Sequence, residues 1–485
     1  MKAPQLSSLS RLRAVCAIVV AAAAACDKSN NSSRAGGDTL ATNPKPATCA
    51  GDNGGLILPA GFCATVFADS IGHARHVVVN TNGDVYVNTW SGDYYNNDTP
   101  HSGGFIVALR DTNNDGRADV IVRFGANAPG AAKTAATPGG SSGQAPQSVT
   151  GPSSEKSGAG GTGIGIYKGH VYVEEGPTIV KYPLPSANLA FDSAAQVVLT
   201  GLPLSGDHPM HPFAIDTSGA LYVDLGSATN SCQVKNRTQD SPGRRPCTEL
   251  ATRGGIWRYD ANKTNQRFST AERYATGIRN AEGLAFGPDG ALYSTQHGRD
   301  QLYDNWPKLY TPEQGENLPA EELMRIQQNA DYGWPMCYFD NTQQKLVLAP
   351  EYGGDGKARG DCASKTAPLA FFPAHWAPND LLFYTGKAFP AHYRGGAFIA
   401  FHGSWNRAPG PQGGYQVAFV PFNGGNPVSA SQFEKFADGF AGGQLRPDIA
   451  AHRPSGLTQG QDGALYITDD KGGRVWRVVY TGQNK

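Results

Sequence analysis

Apolar and polar residues alternate along this chain in short runs, and the runs come in pairs joined by glycine-bearing turns. The clearest pair is LAFGPDGALYST, inside Ala275–Asp300. There Pro288-Asp289-Gly290 has the chemistry of a chain reversal, since proline presets its own φ and glycine takes positive φ cheaply. Its flanks predict a hairpin, with Arg279, Asn280 and Glu282 ahead of it and Gln296, His297, Gly298 and Arg299 behind. Looser copies are HVVVNTNGDVYVNT, GIGIYKGHVYVEE, FAIDTSGALYVDLGS, LLFYTGKAFPAHYRGGAFIAFHGS and GLTQGQDGALYITDD, making six. A later strand follows each copy, as FIVALR, TIVKYPL, GIWRYD, ELMRIQ, YQVAFVPF and RVWRVVY, with the alternation of half-buried strands. Six β repeats in roughly 420 residues predict an all-β, six-bladed propeller, whose four-stranded blades ring a channel. A pair of β-sandwiches is the rival, but it has no need of one hairpin six times. Helical character is scarce, the best stretch lying near Pro319 to Gln328.

Composition narrows the setting. The 485 residues carry 41 Lys plus Arg and 41 Asp plus Glu, so no global field recruits nucleic acid or an anionic membrane. In residues 1–25, Lys2, Arg11 and Arg13 precede a run of small apolar residues ending AAAAACD, the pattern of an export signal. Ala25-Cys26 resembles the bacterial lipobox, which implies a lipidated Cys26 and a periplasmic or cell-envelope protein touching membrane only through that lipid. A plain secretory signal is the alternative. Residues 26–55 read as a flexible tether, and the Gly, Ala, Ser, Pro and Thr-rich stretch 126–160 as a surface insertion in a propeller spanning 56–480. With Cys16 and Cys26 set aside, six cysteines remain, and an exported chain favours disulfides. Of fifteen connectivities we take the nearest-neighbour one: Cys49 with Cys63, Cys232 with Cys247, Cys337 with Cys362. There is no CxxCH for covalent haem and no CxxC for a zinc ribbon.

In a propeller, residues just ahead of the innermost strands converge on one mouth of the channel. Here they are Arg75, Gly161 with Gly163, His208 with His211, Arg279 with Asn280, Asn379 and Arg453. Asp111, Asn113 and Asp115 in DTNNDGRAD present oxygens at alternate positions with a glycine at the sixth, half of a calcium loop. Arg123 stands near the place of the closing glutamate, so an Asx-rich turn is the alternative.

Several motifs, in order, carry a resemblance: GDHPMHPFAIDTSGALYVDLGS, GIRNAEGLAFGPDGALYSTQHGRDQL, NADYGWP, FHGSWNR and HRPSGL. Over roughly residues 56 to 480 the chain resembles the soluble aldose and sorbosone dehydrogenases, six-bladed propellers that use pyrroloquinoline quinone and calcium. The resemblance implies His208 as general base, with Asp207 or Asp224 orienting it, because Ser227 stands where some members have an aspartate. It implies Arg279 and Asn280 at the quinone, the Gly298 and Arg299 carbonyls on its calcium, and the Arg299 side chain free to reach a carboxylate. His402, Asn406 or Arg407 would cover for a fifth-blade lysine that is not present, and Arg75, Arg407 and Arg453 would complete a cationic patch for the cofactor's three carboxylates. Glu321 and Glu322, ahead of Tyr332, match a structural calcium position, surface acids on a short helix being the bland alternative. Tyr338, Trp376 and Trp405 are candidates for sugar selectivity. The function expected is oxidation of an aldose or sugar aldehyde, with electrons passed to an external quinone or cytochrome, since no haem domain is fused. A calcium-dependent lactonase on the same fold, needing a carboxylate-rich metal cage, and a non-catalytic binding propeller are the alternatives. Oligomeric state is not indicated.

Overall fold

The structure, a computed structural model, describes residues 51–91, 103–125, 160–185, 189, 191, 194–407 and 409–482. The expected leader, Cys26, Cys49 and residues 126–159 of the insertion lie outside the described residues.

Six antiparallel sheets form the blades. Their innermost strands are Ala74–Val79, Ile164–Tyr167, Phe213–Ile215, Leu284–Phe286, Pro378–Phe383 and Pro454–Gln459. Each innermost strand packs on the next and the sixth packs on the first, so the ring closes around a channel. All six sequence hairpins are the inner two strands of a blade, and all six later runs are the third strand. In the fourth blade the turn is as expected: Gly290 has φ 76° and donates its N–H to the Gly287 carbonyl at 2.9 Å. The second blade gains a fifth strand, Gln266–Arg267, pairing in parallel with Gln196–Thr200.

Ring closure is made by the chain's own ends. Phe62–Ala68 pairs antiparallel with Val475–Tyr480 and supplies the outer strand of the last blade. An N-terminal strand there seals an edge that would otherwise offer unpaired N–H and C=O groups. Aromatic layers fill the space between blades. Phe398, Phe419, Phe436, Phe440 and Trp476 form one buried cluster between the fifth and sixth, each worth roughly 1.5–3 kcal/mol of burial.

The helix expected near Pro319 to Gln328 is absent. Glu321–Arg325 is instead the third strand of the fourth blade, paired on both sides by Leu292–Gln296 and Ala370–Phe372. Good helix formers lose here to ladder bonds on two edges, a tertiary override of local propensity. Helix forms just upstream instead, at Leu302–Asn305 and at Pro312–Asn317, where Thr311 and Gln314 form a capping box. Two of the expected disulfides are formed, Cys232–Cys247 and Cys337–Cys362, and Cys63 is also disulfide-bonded.

Candidate active site

The segments ahead of the inner strands converge as the repeat pattern requires, and Arg75 stands at their centre. From the first blade it donates to Asp470 at 2.7 Å, Glu282 at 3.0 Å and the Thr162 hydroxyl at 3.1 Å, which belong to the sixth, fourth and second blades. Beside it, a His76 ring nitrogen lies 2.9 Å from the Asn379 carbonyl. Gly163 lies so close to the third blade that a Cβ would stand 2.6 Å from the His211 carbonyl.

His208 and His211 diverge in role. Both His211 nitrogens face acceptors, Glu174 and the Pro203 carbonyl, each at 3.0 Å. Among the described residues, His208 has only one nitrogen engaged: Nδ1 lies 2.8 Å from the Ser227 carbonyl and 3.1 Å from its hydroxyl. A carbonyl only accepts, so Nδ1 carries the proton and Nε2 presents its lone pair. Burial first, and then the charge of Arg279, hold the His208 pKa well below 6.5, so the ring is neutral near pH 7. The orienting group is therefore the Ser227 main chain, not an acid. Asp207 turns onto Arg237, and one oxygen of Asp224 accepts the Ala281 N–H at 3.2 Å. Strand alternation could not show this, because a main-chain carbonyl has no side-chain signature.

Arg279 lies one residue away, its carbonyl taking the Ser227 N–H at 2.6 Å. Its guanidinium donates to the Gly298 carbonyl at 2.9 Å and to Asp300 at 2.9 Å. Burial alone would push the Asp300 carboxyl up, but Arg279 and Arg237 beside it hold it well below the usual carboxylate range. His208, Arg279, Asn280 and Gly298 are thus brought into one place.

Other expected site residues are spent elsewhere. Arg299 points inward, pairing with Glu351 at 2.5 Å, and Arg407 pairs with Glu316 at 3.3 Å. With Arg75 held by Glu282 and Asp470, the expected cationic patch is largely neutralised by carboxylates that sequence spacing could not align with it. Among the described residues, Arg453 has backbone carbonyls as its hydrogen-bond acceptors, those of His402 and Gly403, and His402 itself faces Asp470 at 2.7 Å. Glu321 and Glu322 are not surface acids on a helix but buried strand residues, each pushed up to about 8 by burial. Glu321 accepts the Gly298 and Ala377 N–H groups, and the Tyr332 hydroxyl donates to the Arg325 carbonyl, so the three do not share a centre. Asp111, Asn113 and Asp115 accept backbone N–H groups of their own loop, an Asx-rich turn. Of the three aromatic candidates, Tyr338 is buried against Tyr310, Trp376 packs on Phe401, and Trp405 is exposed.

Residues the motifs did not single out also build the site. Arg253, 3% exposed, donates to the carbonyls of Ser205, His208 and Gly226 and so holds the histidine's main chain. Asn230, two residues ahead of Cys232, and Arg237, inside the Cys232–Cys247 loop, also reach the site, and the cysteine pairing was the sequence signal that this segment is fixed. Among the described residues, two buried carboxamide oxygens around Arg279 and His208 have no hydrogen-bond partner: Asn280 Oδ1 and Asn406 Oδ1. Buried polar atoms are rarely left so, but a carboxamide oxygen only accepts; the groups here that suit the carboxylates and quinone oxygens of a ligand such as pyrroloquinoline quinone are the guanidiniums of Arg279 and Arg453. The Gly298 carbonyl takes Arg279 Nη1 at 2.9 Å and keeps one lone pair, the acceptor type that a hard cation requires.

Comparisons with known proteins agree with this fold. The chain spans about half or less of the curated relatives it matches. An uncharacterized protein of Borreliella burgdorferi is 30% identical over 220 residues, 44% of this chain and 51% of that one. The pyrroloquinoline quinone-dependent pyranose dehydrogenase of Coprinopsis cinerea is 25% identical over 238 residues, 42% of this chain and 30% of that one. A solved structure from Trichoderma reesei, of the carbohydrate-active enzyme family AA12, superposes with TM-score 0.62 at 18% identity over 90% of this chain and 100% of that one, which establishes the shared fold. The TrAA12-like family model matches residues 155–481, more than half of the chain, and the chain belongs to that family.

Proposed function

We propose that this chain is a quinoprotein dehydrogenase that oxidises an aldose or sugar aldehyde and passes the electrons to an external quinone or cytochrome. The observation that carries the reading is His208: buried, neutral, its Nδ1 committed to Ser227, its Nε2 without a partner among the described residues, and next to Arg279 and Asn280. The pyranose dehydrogenase named among the relatives supports the choice of chemistry. When bound, pyrroloquinoline quinone with calcium supplies the acceptor for the hydride that leaves the sugar's C1. Arg279, Asn280, His297, Asn406 and Arg453 would hold that group, and the Gly298 and Arg299 carbonyls its calcium. His208 Nε2 takes the proton of the C1 hydroxyl, while the Nδ1–H bond to Ser227 keeps the ring from turning and stabilises the imidazolium that forms. Arg279, shielded from water, stabilises negative charge developing beside it. The setting we propose is the cell envelope, with Cys26 as lipid anchor.

Protein freed of cofactor and then mixed with pyrroloquinoline quinone and CaCl2 tests the reading by dye reduction with glucose and sorbosone. Reduction that requires both additions is expected, and His208→Ala should lower kcat by roughly 10²–10⁴. No reduction with either sugar, or full activity in His208→Ala, overturns it.

A further inference from the structure

Arg279 and the Gly298–Asp300 turn belong to one blade, but the group tying them together comes from another. Asn230 lies in the loop between Ala220–Leu225 and Gly255–Asp260, two residues ahead of Cys232 of the loop disulfide, and is 0% exposed. Its carboxamide oxygen accepts from Arg279 Nη2 at 3.1 Å and from the Asp300 N–H at 2.8 Å. Its amide nitrogen donates back to the Asp300 carbonyl at 2.9 Å. Its own carbonyl takes Arg279 Nε at 3.0 Å and Trp334 Nε1 at 3.1 Å, and its N–H is held by Asn236 Oδ1 at 3.0 Å. From the same loop Arg237 bonds Asp300 at 3.0 Å.

The chemistry selects asparagine. The side chain must accept from a guanidinium and a peptide N–H, and donate to a carbonyl, from one planar head. An aspartate would satisfy Arg279 but set a second negative charge beside the Asp300 carboxylate and carbonyl. An alanine would leave the Asp300 N–H and one Arg279 N–H unpaired inside the protein. We propose that Asn230 is a positioning residue that fixes the Arg279 guanidinium against the Gly298 carbonyl, an inference that rests on, and deepens, the quinoprotein reading. The site is thereby assembled from two blades, with the disulfide loop as clamp.

Two measurements on the full chain test this. The first uses cofactor-free protein: hydrogen exchange in Asn230→Ala should speed by about tenfold or more over residues 298–301, with little change in the 397–401 strand on the fifth blade. Asn230→Asp, which keeps the Arg279 acceptor and loses the Asp300 donor, should fall between. Unchanged exchange over 298–301 in both variants, or a rise spread evenly over all six blades, overturns the clamp. The second is titration with pyrroloquinoline quinone in CaCl2, where Asn230→Ala should bind roughly ten- to a hundredfold more weakly than the unaltered chain. Equal affinity overturns the proposal. If the unaltered chain takes up no pyrroloquinoline quinone, the quinoprotein reading falls while the exchange measurement still decides the clamp.

Discussion

A buried histidine serves as a base only when one nitrogen is pinned and the other is left open, and at His208 a main-chain carbonyl does the pinning. Ser227→Ala removes the hydroxyl contact at 3.1 Å and the hydroxyl's bond to the Thr229 carbonyl at 2.7 Å but keeps the main-chain carbonyl that pins the ring, so kcat should change by less than about threefold. Gly226→Ala is the sharper probe. A Cβ there would stand 2.6 Å from both Asn280 Oδ1 and the His208 Cβ, closer than packing allows. Its kcat should fall by more than about tenfold, at a cost of roughly 1–3 kcal/mol in unfolding free energy. Burial, then Arg279, depresses the His208 pKa, so the acid limb of activity should lie well below pH 6.5. By NMR titration, Arg279→Gln should move the His208 midpoint upward while burial keeps it below 6.5, and a midpoint that does not move would remove Arg279 as a cause.

Between blades, the binding elements are ion pairs across the channel rather than cations reserved for a ligand. Arg75 touches three other blades and is buried with its partners, at 4% exposure against 1% for both Glu282 and Asp470. Arg75→Ala takes the cation away from buried Glu282 and Asp470, leaving Asp470 the neutral His402 ring among the described residues, and should cost roughly 3–5 kcal/mol in denaturant unfolding. A loss under about 1 kcal/mol would mean the acids are already relieved by water or protonation. Glu321 joins blades through neutral groups instead, clasping the Gly298 and Ala377 N–H groups and so tying the fourth-blade turn to the approach of the fifth.

Across the whole molecule, closing six blades buries titratable groups around the channel. Burial pulls His76 down to about 3 and His402 to about 4, and pushes Asp380 up to about 8. As pH falls below about 6.5 the unfolded chain protonates both imidazoles before the folded one does, so stability is lost toward acid. As pH rises from about 4 toward 8 the unfolded chain ionises the carboxyl that the folded protein keeps protonated, so this stability is lost toward base. Glu321 and Glu322, also pushed up to about 8, join Asp380, and His297, pulled down to about 3, joins the two imidazoles. Between about 4.5 and 6.5 the two sets nearly cancel, so melting temperature should stay level to near pH 6.5 and fall from there toward pH 8. Asp380→Asn should flatten the alkaline side, and a crest at pH 8 or above would contradict the assignment.

The six hairpins, the third strands, the turn at Gly290 and the pairing of Cys232 with Cys247 were legible in the sequence, because each is written in neighbouring residues as a two-residue period, a turn signature or a short spacing. So was the convergence of His208, Arg279 and Asn280, since ring closure brings equivalent positions of successive repeats together, whereas Gly298 was reached through the family resemblance. What only the tertiary structure decided is which charges are left to act. Arg75, Arg299 and Arg407 are spent on acids distant in sequence, the Glu321–Arg325 segment is drawn from helix into sheet by two neighbours, and His208 is oriented by a carbonyl that every residue possesses. A local pattern fixes the strands of a propeller, but a partner across the channel is a matter of distance in space, on which sequence order carries no constraint.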